Sequence, residues 1–205
     1  MQEFYTLAMI LSIATFTLST SISPGPNNIM LLSSGLTFGY KRTIPHMAGV
    51  FLGFPLMVLI VGLGMGALFE KFPIVLTILK GVGILYLFWM AYKIANNSSS
   101  YDVEENTESK PFSFMQAAMF QWVNPKAWIM AITSISIFVT SNENGLFQII
   151  IISLIYFLSG CVSCNTWAFG GTVLKKFIKS EKSVQRLNIA MAILLVASVI
   201  PIIFE

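Results

Sequence analysis

Two short runs hold most of the chemistry this chain can offer: Ser23-Pro24-Gly25-Pro26-Asn27-Asn28 and Asn124-Pro125-Lys126. A proline lacks an N–H and its ring clashes with the carbonyl four residues earlier, so either run would open a helix. Pro24 and Pro26 would free the carbonyls of Thr20 and Ile22, and Pro125 that of Gln121. A free carbonyl end favours a cation, and the N–H end of a helix restarting near Asn27 favours an anion. Together they suit a zwitterion such as an α-amino acid, whose ammonium and carboxylate lie a few ångströms apart. Lys126 adds a cation beside Asn124, as a carboxylate-binding or proton-linked group. Asn165 is a further amide that either bridges helices or touches cargo.

What such breaks mean depends on the elements that hold them. The 205-residue chain is 56% hydrophobic and 10% charged, with a mean hydropathy of +0.78 and no charge between Glu3 and Lys41. These values describe an integral membrane protein. A transmembrane helix needs about 20 mainly apolar residues, and the charged residues cut the chain into six runs of that order, at roughly 8–40, 46–69, 73–94, 113–140, 146–174 and 187–204. Such runs are too long for strands and lack the period-two pattern of an outer-membrane barrel, which leaves helices. Non-helical backbone at membrane depth is tolerated where it is buried in protein or lines a wet cavity, and transporters tend to bind cargo at broken helices. The plainer alternative is a kink whose carbonyls are satisfied by the hydroxyls of Ser19, Thr20, Ser21 and Ser23.

The layout repeats. A polar, acidic segment over 96–112, with Asp102, Glu104, Glu105 and Glu108, reads as a solvated linker between residues 1–95 and 113–205. Each half opens on a span with a proline break. Pro26 lies about fifteen residues before Lys41 and Pro125 about seventeen before Asn142, so at about 1.5 Å per residue both breaks fall near the midplane. An odd number of spans per half gives the halves opposite orientation, the inverted-repeat design of many secondary transporters. The expected fold is therefore an all-α polytopic membrane protein of six transmembrane helices, arranged as two inverted three-helix halves with broken first helices. Residues 1 to about 10 exceed what the first span needs.

Charge sets the orientation. Lys41, Arg42, Lys93, Lys110, Lys175, Lys176, Lys179, Lys182 and Arg186, nine of the twelve basic residues, fall in or beside the first, third and fifth loops. The positive-inside rule makes those loops cytoplasmic and puts both termini outside. Met1-Gln2-Glu3 lacks the positive start of a cleavable signal, so the first span reads as mature structure. The basic fifth loop reports orientation and contact with anionic membrane lipid, not nucleic acid.

Other functions fit poorly. A membrane enzyme would want a nucleophile and base or a metal cluster in one pocket, whereas this chain has one histidine and no mid-span carboxylate. An acidic proton relay is likewise not visible, and no phosphate-binding loop is present. A channel would want a continuous polar stripe, and a scaffold protein would tolerate loss of Lys126 and Asn27. Cys161 and Cys164 share a helix face with small residues and read as helix packing, not as a metal or redox site. Gly49-x-x-x-Gly53 and Gly62-x-x-x-Gly66 read as close packing within the chain more than as a dimer seam, and a homo-oligomer stays open. His46 reads as an interfacial histidine at the cytoplasmic entrance to the second span. Periodicity does not choose a cavity lining among Gln116, Gln121, Asn165, Tyr86 and Trp167.

Taken together, Ser23-Pro24-Gly25-Pro26-Asn27, Ala48-Gly49 with Gly53, Lys80-Gly81 with Tyr86-Leu87, and Asn124-Pro125-Lys126 resemble the lysine-exporter (LysE/RhtB) superfamily over nearly the whole chain. Asn165-Thr166-Trp167-Ala168, Arg186-Leu187-Asn188-Ile189 and Trp89 to Ala95 are similar to its cysteine/O-acetylserine exporter branch. The resemblance implies a bacterial inner-membrane exporter of amino acids or their derivatives, with homoserine or threonine also in range. It further implies a cofactor-free carrier driven by the proton gradient, working by alternating access. By the same resemblance, Pro24, Gly25, Pro26 and Asn27 should face Asn124, Pro125 and Lys126 across the midplane.

Overall fold

The computed structural model describes residues 6–65, 71, 73–96, 110–139, 144–177 and 181–197. The first apolar run forms α1 (Leu7–Ile22), started by Thr6, whose hydroxyl accepts a hydrogen bond from the Met9 N–H. It stops at Ser23 because Pro24 cannot continue it. α2 (Pro26–Phe38) begins on a proline at its first helical position, where the missing N–H is no loss, and lies at 56° to α1. Gly39, at φ 79°, makes the tight corner into α3 (Tyr40–Ile60), and the chain runs on through Val61–Met65 with a kink at Gly64, at φ 120°.

α4 (Pro73–Ala95) follows, then α5 (Phe114–Val123), which opens on a capping box between Ser113 and Gln116. α6 (Pro125–Phe138) continues from α5 across Asn124, and α7 (Gly145–Phe177) and α8 (Glu181–Ala197) complete the order. All regular structure among the described residues is helical.

Tyr40–Gly64 and Gly145–Phe177 are each long and apolar enough to cross a membrane, and α1 with α2 qualifies as one bent span. Shorter apolar helices, Gly81–Tyr92, Pro125–Phe138 and Gln185–Ala197, lie where the third, fourth and sixth spans were expected. At 33 residues α7 is longer than the expected 146–174. Such a helix is about 50 Å long against a hydrocarbon core of about 30 Å, so it tilts or projects. Its last turn holds Lys175 and Lys176, cations placed against the negative end of the helix dipole. α8 starts at Glu181, ahead of the expected 187. The expected span ends at 69, 140 and 204 lie outside the described residues, as do Gly66 and linker residues 97–109 with their four acids.

α7 is the hub, with α1, α2 and α3 all lying along it; α3 also packs on α5, and α4 on α8. Lipid gives helices no hydrophobic reason to associate, so close van der Waals approach matters, and small residues allow it. A Cβ on Gly35 would run into the Ala168 carbonyl, and one on Gly171 into the Leu32 carbonyl, so α2 and α7 touch backbone to backbone. Gly49 and Gly53 seat α3 on α5 in the same way, at Phe114 and Ala118. The GxxxG pattern there serves packing inside the chain. Two apolar clusters flank this seam: Met57, Trp128, Ile152 and Tyr156 on one side, and Ile29, Leu87, Phe120 and Leu195 on the other. His46 differs from its expected interfacial setting, being only 2% exposed because its face of α3 turns inward onto Phe112, with ring centroids 5.2 Å apart.

Candidate functional site

The first break leaves a cluster of backbone carbonyls, and their partners define the site. Ser23 Oγ donates to the Thr20 carbonyl at 2.8 Å. The Ser21 carbonyl accepts from Asn28 Nδ2 at 2.7 Å and from Ser163 Oγ at 2.8 Å, and the Ile22 carbonyl accepts from Trp167 Nε1 at 3.1 Å. Hydroxyls within the kink therefore meet only part of the demand: Thr20 spends its hydroxyl on the Phe16 and Thr17 carbonyls of its own helix. α7 supplies Ser163 and Trp167, and with Ser159 on Thr17 and Thr172 on the Gly35 carbonyl it splints the broken span along both pieces.

The carbonyls of Ser23 and Pro24 are met from the other break. Lys126 Nζ donates to Ser23 Oγ at 2.7 Å, to the Ser23 carbonyl at 3.0 Å and to the Pro24 carbonyl at 3.3 Å. No carboxylate among the described residues takes part. Beside this contact, Asn27 Nδ2 donates to Gln121 Oε1 at 2.8 Å, Gln121 Nε2 returns a bond to Asn27 Oδ1 at 3.3 Å, and Gln121 also donates to the Ala117 carbonyl. Gln121 is fully buried, and the amide pair ties the start of α2 to the end of α5.

The second break caps itself. Asn124 Oδ1 accepts from the Lys126 N–H at 3.2 Å, and the Gln121 carbonyl, freed by Pro125, accepts from the Asn124 N–H at 3.3 Å. The two helix starts thus differ. α6 carries a side-chain cap, whereas no side chain caps α2, whose first turn faces a cavity.

That cavity is tight, with a volume of about 50 Å³, below the range of about 300–1,000 Å³ usual for small-molecule sites. Gly25, Pro26, Asn27 and Asn28 from the first break share its wall with Asn124 and Lys126 from the second. Tyr156, Phe51, Met130 and Cys164 make the apolar part. Ser23 and Pro24 hold Lys126 from outside the lining, and Pro125 is buried against α4 near Gly83. Asn165 is not among the lining residues: it is exposed on α7, accepts from the Tyr40 hydroxyl and donates to the Cys161 carbonyl at 2.7 Å. Sequence reading left Gln121 and Trp167 undecided and did not select Ser163. The one available signal was a buried amide three residues before the second break. Among the described residues no three His, Cys, Asp or Glu side chains converge as metal ligands would.

Comparison with known proteins supplies the class that this geometry leaves open. Residues 18–200 match the family model described as LysE type translocator. The chain belongs to the LysE family of translocators. It is therefore a transport protein and not an enzyme. A cysteine/O-acetylserine efflux protein of Salmonella typhimurium (strain LT2) is 33% identical over 191 residues, covering 93% of this chain and 95% of that one. The protein of the same description in Escherichia coli (strain K12) is 30% identical over 190 residues, at 93% and 95% coverage. No solved structure matches this LysE-type translocator.

Proposed function

We propose that this translocator exports small zwitterionic amino acids or their derivatives, of the cysteine and O-acetylserine kind, with homoserine or threonine in the same size range. The observation that carries the reading is the Lys126 contact with Ser23 and Pro24, which joins two helix breaks about a hundred residues apart at one cavity. An amino-acid carboxylate would lie at the uncapped start of α2, where the Asn27 and Asn28 N–H groups and the helix dipole favour an anion, with Lys126 swinging to it. The amino acid's ammonium would take the carbonyl side. The apolar wall of Phe51, Met130 and Tyr156 would receive a short side chain once the cavity widens to admit cargo.

In this reading the halves 1–95 and 113–205 form an inverted repeat of six spans joined by a cytoplasmic linker over 96–112. One half rocks against the other about the breaks, driven by the proton gradient across a bacterial inner membrane. Both termini face outward and the basic loops face the cytoplasm and its anionic lipid. The names of the relatives above support the cargo class, and the lack of any phosphate-binding loop supports gradient coupling over ATP.

The test is extracellular accumulation of a panel of amino acids on overexpression, with and without an uncoupler. Cysteine and O-acetylserine should accumulate outside overexpressing cells, and an uncoupler should abolish the excess. Accumulation of none of the panel, or accumulation indifferent to the uncoupler, counts against the reading.

A further inference from the structure

A primary ammonium has three N–H donors, and the Lys126 ammonium finds three acceptors: Ser23 Oγ, the Ser23 carbonyl and the Pro24 carbonyl, at 2.7, 3.0 and 3.3 Å. All three belong to the unwound end of α1, the side that the proposed pose gives to the cargo ammonium. Among the described residues only backbone and hydroxyl dipoles face this cation, so the cradle recognises the ammonium group itself and not a particular side chain.

Gly25 shows that the cradle is shaped for this occupant. Its φ of 178° is extended backbone open to any residue, so conformation does not call for glycine there. Space does. A Cβ at position 25 would stand 2.8 Å from Lys126 Cδ and 2.9 Å from Nζ, and no other atom is as near. The missing side chain is the channel through which Lys126 reaches Ser23.

We infer that Ser23 and Pro24 form an ammonium subsite which Lys126 fills when the carrier is empty and yields to the cargo's ammonium when it is loaded. This rests on the proposed amino-acid export. Lys126 is then a tethered stand-in for cargo. A carrier that must return empty would otherwise expose bare carbonyls at membrane depth, which is costly. With Lys126 seated, the empty and loaded carriers present the same set of bonds across the two halves, and both can reorient.

The experiment uses the full-length protein in proteoliposomes with labelled L-cysteine kept reduced. Net efflux, with nothing on the far side, needs the empty carrier to return. Exchange, with unlabelled cysteine on the far side, does not. The ratio of net efflux to exchange should fall by about ten-fold in both Lys126→Gln and Gly25→Ala. Gly25→Ala leaves the charge in place and merely displaces its stem, so it keeps the inference testable if Lys126→Gln fails to insert. Methylammonium should restore net efflux to Lys126→Gln several-fold by filling the vacated cradle. If the two rates fall together in both variants, Lys126 only binds cargo and the inference is overturned while the export reading stands. A wild type that moves no cysteine in either mode overturns both.

Discussion

Lys126 Nζ lies 2.7 Å from Ser23 Oγ, a contact across 103 positions of sequence that joins the unwound end of α1 to the first turn of α6. Ser23 is bonded twice over, since the same hydroxyl donates to the Thr20 carbonyl. Ser23→Ala removes both bonds and keeps the backbone acceptors. A hydrogen bond to a charged group is worth about 1.5–3 kcal/mol, so export should fall on the order of ten-fold. Ser23→Thr keeps the hydroxyl and should retain most export. Extracellular cysteine measured at matched membrane levels tests this, and equal export by the alanine and threonine variants would refute it.

The Asn27 and Gln121 amides form the second bond between the breaks, Gln121 fully buried and Asn27 half-buried at the cavity wall. Asn27→Ala strands the buried Gln121 Oε1, at a cost of about 1–3 kcal/mol, whereas Gln121→Ala leaves the half-buried Asn27 amide facing the cavity and costs less. Removing both strands neither. Melting temperatures of the detergent-solubilised single and double variants should therefore be less than additive, with a coupling of about 0.5–3 kcal/mol. Additive losses would show that the pair, though close, does not act as a unit.

How much of this was legible in advance depends on whether a feature is local. Helix breaks at Pro24–Pro26 and Pro125 follow from the covalent chemistry of proline, and the positions of the apolar runs follow from the solvent; both were readable. The partner of each freed carbonyl was not. Trp167 reaching Ile22, Ser163 reaching Ser21 and Gln121 reaching Asn27 depend on how α5 and α7 are rotated, which hydropathy in a nearly uniform apolar run does not fix. Asn165 illustrates the same point. One residue beyond Cys164 it lies about 100° further around α7, and there it meets Tyr40 instead of the cavity. The carbonyl end read from sequence as favouring a cation carries the chain's own lysine on Ser23 and Pro24, while the two carbonyls freed by the prolines, Thr20 and Ile22, are met by Ser23 Oγ and Trp167.

Two glycines two positions apart on α4 should behave in opposite ways. A Cβ at Gly81 meets nothing within 4 Å, whereas one at Gly83 would run into the Val123 carbonyl and lie 3.3 Å from Pro125 Cδ. Gly83 therefore seats α4 on the second break. Gly81→Ala should be neutral or stabilising by up to about 1 kcal/mol through helix propensity. Gly83→Ala must push α4 off the Asn124–Pro125 turn, costing about 1–3 kcal/mol, with export falling as the break shifts. Thermal stability and efflux of the two variants, side by side, decide it: equal behaviour would mean that the approach of α4 to the break is not needed.

Orientation can be tested independently of activity. In a background with Cys161 and Cys164 replaced by alanine, a single cysteine at Ser99 lies in the linker assigned to the cytoplasm, and one at Asn142 lies in a loop assigned to the outside. The basic residues flanking the first, third and fifth loops carry this assignment, since lysine and arginine near span ends are retained on the cytoplasmic side. A membrane-impermeant maleimide added to intact cells should label Asn142→Cys and leave Ser99→Cys untouched until the cells are opened. The reverse pattern would invert the protein in the membrane and overturn the assignment of both termini to the outside. Labelling of both from outside would mean an even number of crossings between them, and with it the loss of the two-half arrangement that sets the breaks against each other.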